Sequence, residues 1–384
     1  MSQETIDLYT GILDRDIAEK IMLTQEAGET PIYSMLLAAG ARAPTGNEKF
    51  EWQTDKFATR RTAINNGGTA YTGATTALVV DDATVFYANC LVYAEATGEV
   101  MLCTAVNTGT NTITVVRGLG GVVAGSASSV ADNANLLNVG SAEGEGNASP
   151  EARRTARTNA SNWVQTFRHA VDLSGRLNRM NEKVEDVRAY ERQKMLREHG
   201  RDIENMLIHG AASGTASDAN GKKVTTSGGF LQAITTHVTN MGGAMTQTGF
   251  DAWAEEVFDQ GSGRKIVFAG KTALNAVGTL HKGTVQTRPG DSLLGLNVQQ
   301  ILTNYGQMNF VYNRRMGPGN AGTMIAVDID SVKLRFTNGG DTHLKENIQA
   351  PDVDGTKDEW FSEFGLEFGN EADHAVAKGI TGAG

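Results

Sequence analysis

Only two of the 384 residues are cysteines, Cys90 and Cys103, too few for a disulfide scaffold or a four-cysteine metal site. Both fall in a strand-rich segment and are expected to act as small buried hydrophobes, with a bridge between them as the alternative. Proline is scarce at 6 residues while glycine reaches 45, so turns must rely on glycine's tolerance of positive φ and loops should be deformable. Basic charge is in deficit. Thirty-four Lys and Arg against 44 Asp and Glu leave a net charge of -10, the wrong sign for a protein that binds by neutralising nucleic-acid phosphates. No stretch approaches the roughly 18 apolar residues of a membrane span, and the opening residues Met1 to Asp7 lack a basic, apolar leader. The expectation is a protein made and kept in a cytoplasm, without a membrane partner. With 40% hydrophobic and 20% charged residues, the chain is that of an ordinary folded protein, long enough for more than one packed lobe.

Sequence cues for chemistry are equally thin. Lys265-Ile-Val-Phe-Ala-Gly-Lys-Thr272 places Gly-Lys-Thr between an apolar strand and a helix, but a lysine stands where a phosphate loop needs its first glycine. A plain strand-to-helix turn is expected. Gly118 to Gly125 misses the dinucleotide fingerprint because Val123 occupies the third glycine position, which leaves a β-turn loop. Asp352 to Glu363 has the acids of a calcium loop, yet its glycine comes fourth and Lys357 takes the sixth place. An acidic surface loop is expected there. The seven histidines show no i, i+4 pair and no neighbouring cysteine, and no Gly-x-Ser-x-Gly elbow surrounds a serine. The expected protein is not an enzyme and carries no cofactor or metal.

What the chain does have is a clear order of segments. Ile12, Leu13, Ile17 and Ile21 recur at near-helical spacing in a polar arm, and Thr30-Pro31 predicts a short helix through Leu37, ended near Gly40. Phe50 and Trp52 then alternate with Glu51 and Gln53, the pattern of a half-buried strand. Residues 68 to 140 are rich in Thr, Val, Ala, Gly and Asn and predict short strands at 76–80, 91–94, 99–106 and 112–116, a small all-β module with a polar linker at 141–150.

Apolar residues at spacings of three and four predict a long charged helix over 176–209, on the order of 50 Å if unbroken. Glu185/Arg188, Glu191/Lys194 and Glu198/Arg201 support it. Its end at Gly210 should open a mobile loop over 211–221. Helices are then predicted at 228–238, 250–258, with Trp253 and Val257 inward, and 271–280, broken at Gly283. Strands are predicted at 265–269, 307–313, with Met308, Phe310 and Tyr312 on one face, 323–327, 332–336 and, last, 361–368. This mixed order marks an α+β protein.

Phe50-Glu-Trp52, Arg201 to Gly210, Thr303 to Arg315 and Glu363 to Ala375 resemble, in order and spacing, the major capsid (major head) proteins of tailed bacteriophages with the Hong Kong 97 type fold. The closest likeness is to the group with a β insertion in the extended hairpin. The resemblance implies an N-terminal arm at 1–45, an extended hairpin at 46–67 and 141–174, and the inserted β module at 68–140. It further implies a peripheral lobe with the spine helix at 175–223 and 323–360, and an axial lobe at 224–322 and 361–384. It implies self-assembly into pentamers and hexamers of an icosahedral head, located in the virion, with DNA met only through the shell interior. Portal and scaffold or decoration proteins are the further partners it implies, the scaffold being a separate protein. A tail or decoration protein gripping a target through the β module is the alternative. An arm and hairpin that bury little within one subunit would gain burial from neighbours, so Phe50, Trp52, Arg60, Arg61, Arg153 and Arg154 are the expected subunit-interface residues.

Overall fold

The computed structural model describes residues 29–121, 128–146, 149, 153–179, 186–281 and 298–384. The amphipathic positions Ile12, Leu13, Ile17 and Ile21, the helix residues Met180 and Val184, Glu185 of the first acid–base pair, and the expected break at Gly283 lie outside them. The chain forms two units, one from Met1–Thr54 with Asn159–Gly384, the other from Asp55–Thr158.

In the larger unit the helices are α1 (Pro31–Ala38), α2 (Gly175–Arg179), α3 (Val187–His209), α4 (Phe230–Ala233), α5 (Gln247–Val257) and α6 (Lys271–Leu280). Asp186 starts α3 by accepting hydrogen bonds from the Arg188 and Ala189 amides at 3.0 and 3.3 Å, the usual role of an N-cap aspartate. The Glu191–Lys194 and Glu198–Arg201 pairs form on its surface at 3.8 and 2.8 Å. The helix stops at Gly210 for reasons of space: a Cβ there would fall 2.3 Å from the Ser227 carbonyl oxygen.

Two sheets organise this unit. The first runs Arg42–Thr45, Lys333–Thr337, Gly355–Glu367, Gln165–Ser174, with His343–Lys345 also on Gly355–Glu367. The second runs Val238–Met245, Ala375–Ala383, Met324–Val327, Arg264–Ala269, Gln307–Tyr312, Val298–Leu302. Side chains of the second sheet alternate between two cores. Val267, Ala269, Met308, Phe310, Met324, Ala326, Ala375 and Ala377 pack with Phe250, Trp253 and Val257 of α5 and with α6. Phe268, Val311, Ile325, Val327 and Val376 instead join Ile203, Met206 and Leu207 of α3 and Ile32 and Leu36 of α1. Burial on both faces explains why Gln307–Tyr312 is buried at four consecutive positions, where a single inward face had been expected.

Several expectations fail for tertiary reasons. The helix expected at 228–238 shrinks to α4, because Ile234 turns extended and Val238 opens a strand parallel to Ala375–Ala383. The stretch at 211–221 is not a free loop: Ser213–Ser217 pairs with Lys223–Thr226, and Asp218 closes the turn by accepting from the Asn220 and Lys222 amides. The last strand is not 361–368. Gly355–Glu367 is longer, and Ala375–Ala383 follows it, small residues that let α6 approach closely. Met324–Val327 pairs with Arg264–Ala269 inside the second sheet, and Gly355–Glu367 runs unbroken past 360.

The smaller unit is a six-stranded barrel. Its strands run in the order Arg61–Ala63, Asn135–Ser141, Cys90–Ala94, Glu99–Asn107, Thr112–Val116, Ala77–Val79. The Ile64–Val80 bridge then closes the ring, with Asn65 donating to the Val79 carbonyl at 3.0 Å and Asp81 to that of Ala63 at 2.9 Å. Closure removes both sheet edges. Ile64, Leu78, Val92, Met101, Ile113 and Leu136 fill the interior with no exposed surface. The barrel therefore begins at Arg61, before the expected start at 68, because Thr62 and Ile64 are already buried in it.

Candidate functional site

A ribbon of Lys49–Thr54 and Thr158–Trp163 carries the chain from one unit to the other. Phe50 is only 6% exposed and lies so close to Gly365 that a Cβ there would meet its ring at 2.6 Å. The Trp52 indole N–H donates to the Gly369 carbonyl at 2.7 Å, and its ring packs edge-on against Phe368 at 4.8 Å. Both aromatics are thus spent on the core of their own subunit. The alternation at 50–53 showed a buried face but could not show what covers it.

The arginines at the barrel's neck divide into two kinds. Arg61 pairs with Glu95 at 2.7 Å, while Arg153 donates to the Thr84 carbonyl at 2.7 Å and lies 4.4 Å over the Tyr87 ring. Arg60 and Arg154 are exposed and have no side-chain partner among the described residues. Asp55 joins the two neck segments, accepting from Thr155 at 2.8 Å and pairing with Arg157 at 3.8 Å. Phe57, beside Lys56, is 100% exposed, an unusual state for a phenylalanine.

Buried ionisable groups mark the joints of the larger unit, and periodicity pointed to none of them. Thr30 makes no side-chain cap on α1. Glu204 of α3 supplies it instead, accepting from the Ile32 and Tyr33 amides at 3.0 and 2.8 Å and from Asn313 at 2.6 Å. Burial pushes this carboxyl up to about 7 despite those three donors. Arg201–Glu29, at 2.9 Å, adds a second tie at the same end of α1. Asp358, 1% exposed, accepts a two-pronged bond from Arg188 and one bond each from Arg192 and the Asn347 amide, all at 2.8–2.9 Å. The Arg188 guanidinium foremost, with Arg192, holds it far below the usual carboxylate range. An acidic surface loop was expected at this position; the residue is instead a buried anchor for α3.

Two further groups complete the set. Lys265 is fully buried and donates to Asp328 at 2.9 Å and to the Gln260 and Asp373 carbonyls at 3.0 and 2.9 Å, which satisfies all three of its protons. His199 meets Ser362 at 2.6 Å and His169 at 3.0 Å. Burial first, and His169 second, lower it to about 4, so it is neutral at pH 7. His169 also approaches Asp202 at 3.2 Å, on a groove of about 500 Å³ between α3 and the Gln165–Ser174 strand.

In the barrel, Glu99 and Arg117 are 1% and 5% exposed and form a two-pronged pair at 2.7 and 2.8 Å. Arg117 also donates to the Thr72, Thr75 and Ser128 carbonyls, and Glu99 accepts from the Gly118 and Ser128 amides. The pair thereby ties together the segments at residues 72–75, 118 and 128.

The best sequence foothold for nucleotide chemistry is closed by packing. At the start of α6, the Gly270 amide donates to Thr323 and the Ala273 amide to Ala321, both at 3.0 Å. A Cβ on Gly270 would lie 2.6 Å from the Ala321 carbonyl oxygen. Carbonyl oxygens occupy the place where a phosphate would have to sit. Among the described residues, no group of three or more His, Cys, Asp or Glu could hold a metal ion, and no helix is long and apolar enough to cross a membrane.

The sequence matches the family model of the SU10 major capsid protein over residues 3–381, nearly the whole chain. The chain belongs to this family. No curated protein matches the sequence. Among solved structures, a chain from Mycobacterium phage Ogopogo superposes with a TM-score of 0.53 at 11% identity, covering 98% of this chain and 99% of that one. The capsid of a native GTA particle superposes with a TM-score of 0.51 at 11% identity, covering 99% and 100%. The fold is α+β, of the Hong Kong 97 type. This major capsid protein is a shell-forming structural subunit located in the virion. The tail or decoration alternative does not fit a family match of that extent.

Proposed function

We propose that this capsid protein assembles into pentamers and hexamers that close an icosahedral head around packaged DNA, and that it has no catalytic centre. The observation that carries the reading is the barrel's neck. In a chain of net charge -10, the neck segments carry a fully exposed Phe57 next to Lys56 in sequence, together with the exposed Arg60 and Arg154. An exposed apolar side chain on segments that also carry exposed cations suits burial against the predominantly acidic surface of a second copy. On this reading Arg60 and Arg154 contact a neighbouring subunit, whereas Phe50, Trp52, Arg61 and Arg153 act by shaping the hairpin and the neck. On the same reading residues 1–45 serve as the arm, 46–60 and 142–174 as the extended hairpin, and the two sheets as the cores of peripheral and axial lobes. The acidic balance limits sticking of the shell to the genome. Synthesis takes place in the host cytoplasm, with portal and scaffold or decoration proteins as further partners.

Sedimentation of purified protein tests the neck. Wild type is expected to form capsomer-sized or larger species, and a Phe57→Ala, Arg60→Ala, Arg154→Ala triple variant to stay small while keeping its thermal transitions. Unchanged assembly by the triple variant would remove the neck from the interface.

A further inference from the structure

Cys90 opens the Cys90–Ala94 strand and Cys103 lies within Glu99–Asn107, and the antiparallel register sets them directly opposite each other. Both are 0% exposed inside the barrel and both are free thiols. Opposed residues in antiparallel strands have Cα atoms about 4.5–5.5 Å apart, inside the roughly 4.4–6.8 Å that a disulfide spans. The sequence has no other cysteine. We propose that Cys90 and Cys103 are a modification site: a cross-strand disulfide that a small-molecule disulfide such as oxidised glutathione installs inside the barrel.

The geometry gives Cys90 the first step. It sits at the end of its strand, its amide bonds back to the Tyr87 carbonyl at 3.2 Å, and Asn89 before it takes a φ of 63°. This is where the ladder opens most easily. Its neighbour Cys103 brings the Cys90 thiol down to about 7, while Cys103 itself is raised, so the thiolate that attacks is available near neutral pH. The Cys90 thiolate attacks one sulfur of the oxidant, forming a mixed disulfide and releasing one small thiol. With Cys90 no longer a thiolate, the interaction that raised Cys103 is gone, and Cys103 gives up its proton and attacks the Cys90 sulfur, displacing the second small thiol. The two cysteines lose two protons and two electrons together, and the oxidant is reduced to two thiols. In the reducing cytoplasm the pair stays open, and in the oxidising medium a released virion meets it closes. The barrel would stiffen only after assembly.

The test is incubation of the purified, assembled protein with oxidised glutathione, followed by thiol counting in denaturant, peptide mass spectrometry and calorimetry. Expected results are a fall from two free thiols to none, a linked peptide pair within a single chain, and a rise of the barrel transition on the order of 10 °C. The Cys103→Ser variant should stop at a mixed disulfide on Cys90. A second sample, refolded in a glutathione redox buffer, removes burial as an obstacle to the reagent. Two thiols still free in both samples, or sulfur links found only between chains or to glutathione in the wild type, would overturn the proposal.

Discussion

Among the described residues, the barrel buries one ion pair and gathers hydrogen bonds from its loops around it, while the larger unit spreads its buried charges over several joints. Glu99 and Arg117 tie their own loops, at residues 72–75, 118 and 128. Glu204, Asp358 and Lys265 each tie segments far apart in sequence: α3 to α1, the Gly355–Glu367 strand to α3, and the Arg264–Ala269 strand to the segment before Ala375. Removing one partner of a buried pair leaves an uncompensated charge, which costs far more than the pair itself contributes. The two regions should therefore fail differently, the barrel as a whole and the larger unit joint by joint.

The largest effect is expected from Arg117→Met, which strands a carboxylate that is 1% exposed and should cost about 3–5 kcal/mol. Calorimetry should show the barrel transition falling by roughly 12 °C or more while the transition of the larger unit stays in place. A parallel fall of both transitions would break the comparison. Asp358→Asn should cost about 2–3 kcal/mol in the larger unit, because Arg188 and Arg192 lose their shared acceptor. The pH dependence sharpens this. The folded carboxyl is depressed, so its contribution is present above the unfolded value of about 4 and is lost as pH falls below it. Urea titrations from pH 6 to pH 3 should show a shallower decline in the variant than in wild type.

Glu204 carries the opposite sign. Its folded value of about 7 lies above the ordinary value of 4.5, so its contribution is complete below pH 4.5 and is lost as pH rises through 7. The loss is on the order of 3 kcal/mol. Glu204→Gln should cost about 1–2 kcal/mol at pH 5, since an amide presents two N–H donors where the protonated acid presents one O–H, and the variant should be more stable than wild type by about 1 kcal/mol at pH 8, because wild type alone loses roughly 2.5 kcal/mol over that range. Hydrogen exchange of the Ile32 and Tyr33 amides would show whether the change is confined to α1. The smallest effect belongs to Glu198→Ala on the surface of α3, which should shift stability by about 0.5 kcal/mol or less.

The same contrast governs what the sequence reveals. Three of the barrel's strands, Cys90–Ala94, Glu99–Asn107 and Thr112–Val116, join near neighbours across short turns, so alternation and turn residues at 97–98 and 107–111 mark them directly. Its first and last strands were missed because Arg61–Ala63 and Asn135–Ser141 pair with each other across the whole module. In the larger unit Arg42 pairs with Leu334 and Gln165 with Phe364, partners that no local pattern encodes. The helices at 247–257 and 271–280 were legible because each is amphipathic on its own, and Val238–Met245 was not, because its strand state depends on Ala375–Ala383. For the candidate site, the arginines of the neck were visible as doublets, but which of each pair is free depends on Glu95 and Tyr87. Glu204 and Asp358 sit on charged, helical or acidic stretches where solvent is the natural expectation.

The central claim is that this chain is a subunit built to close a shell. Negative-stain electron microscopy of the protein expressed alone, and together with candidate scaffold and portal proteins, tests it most directly. Closed shells or capsomer rings are the predicted result, and monomers persisting under every condition would contradict the account.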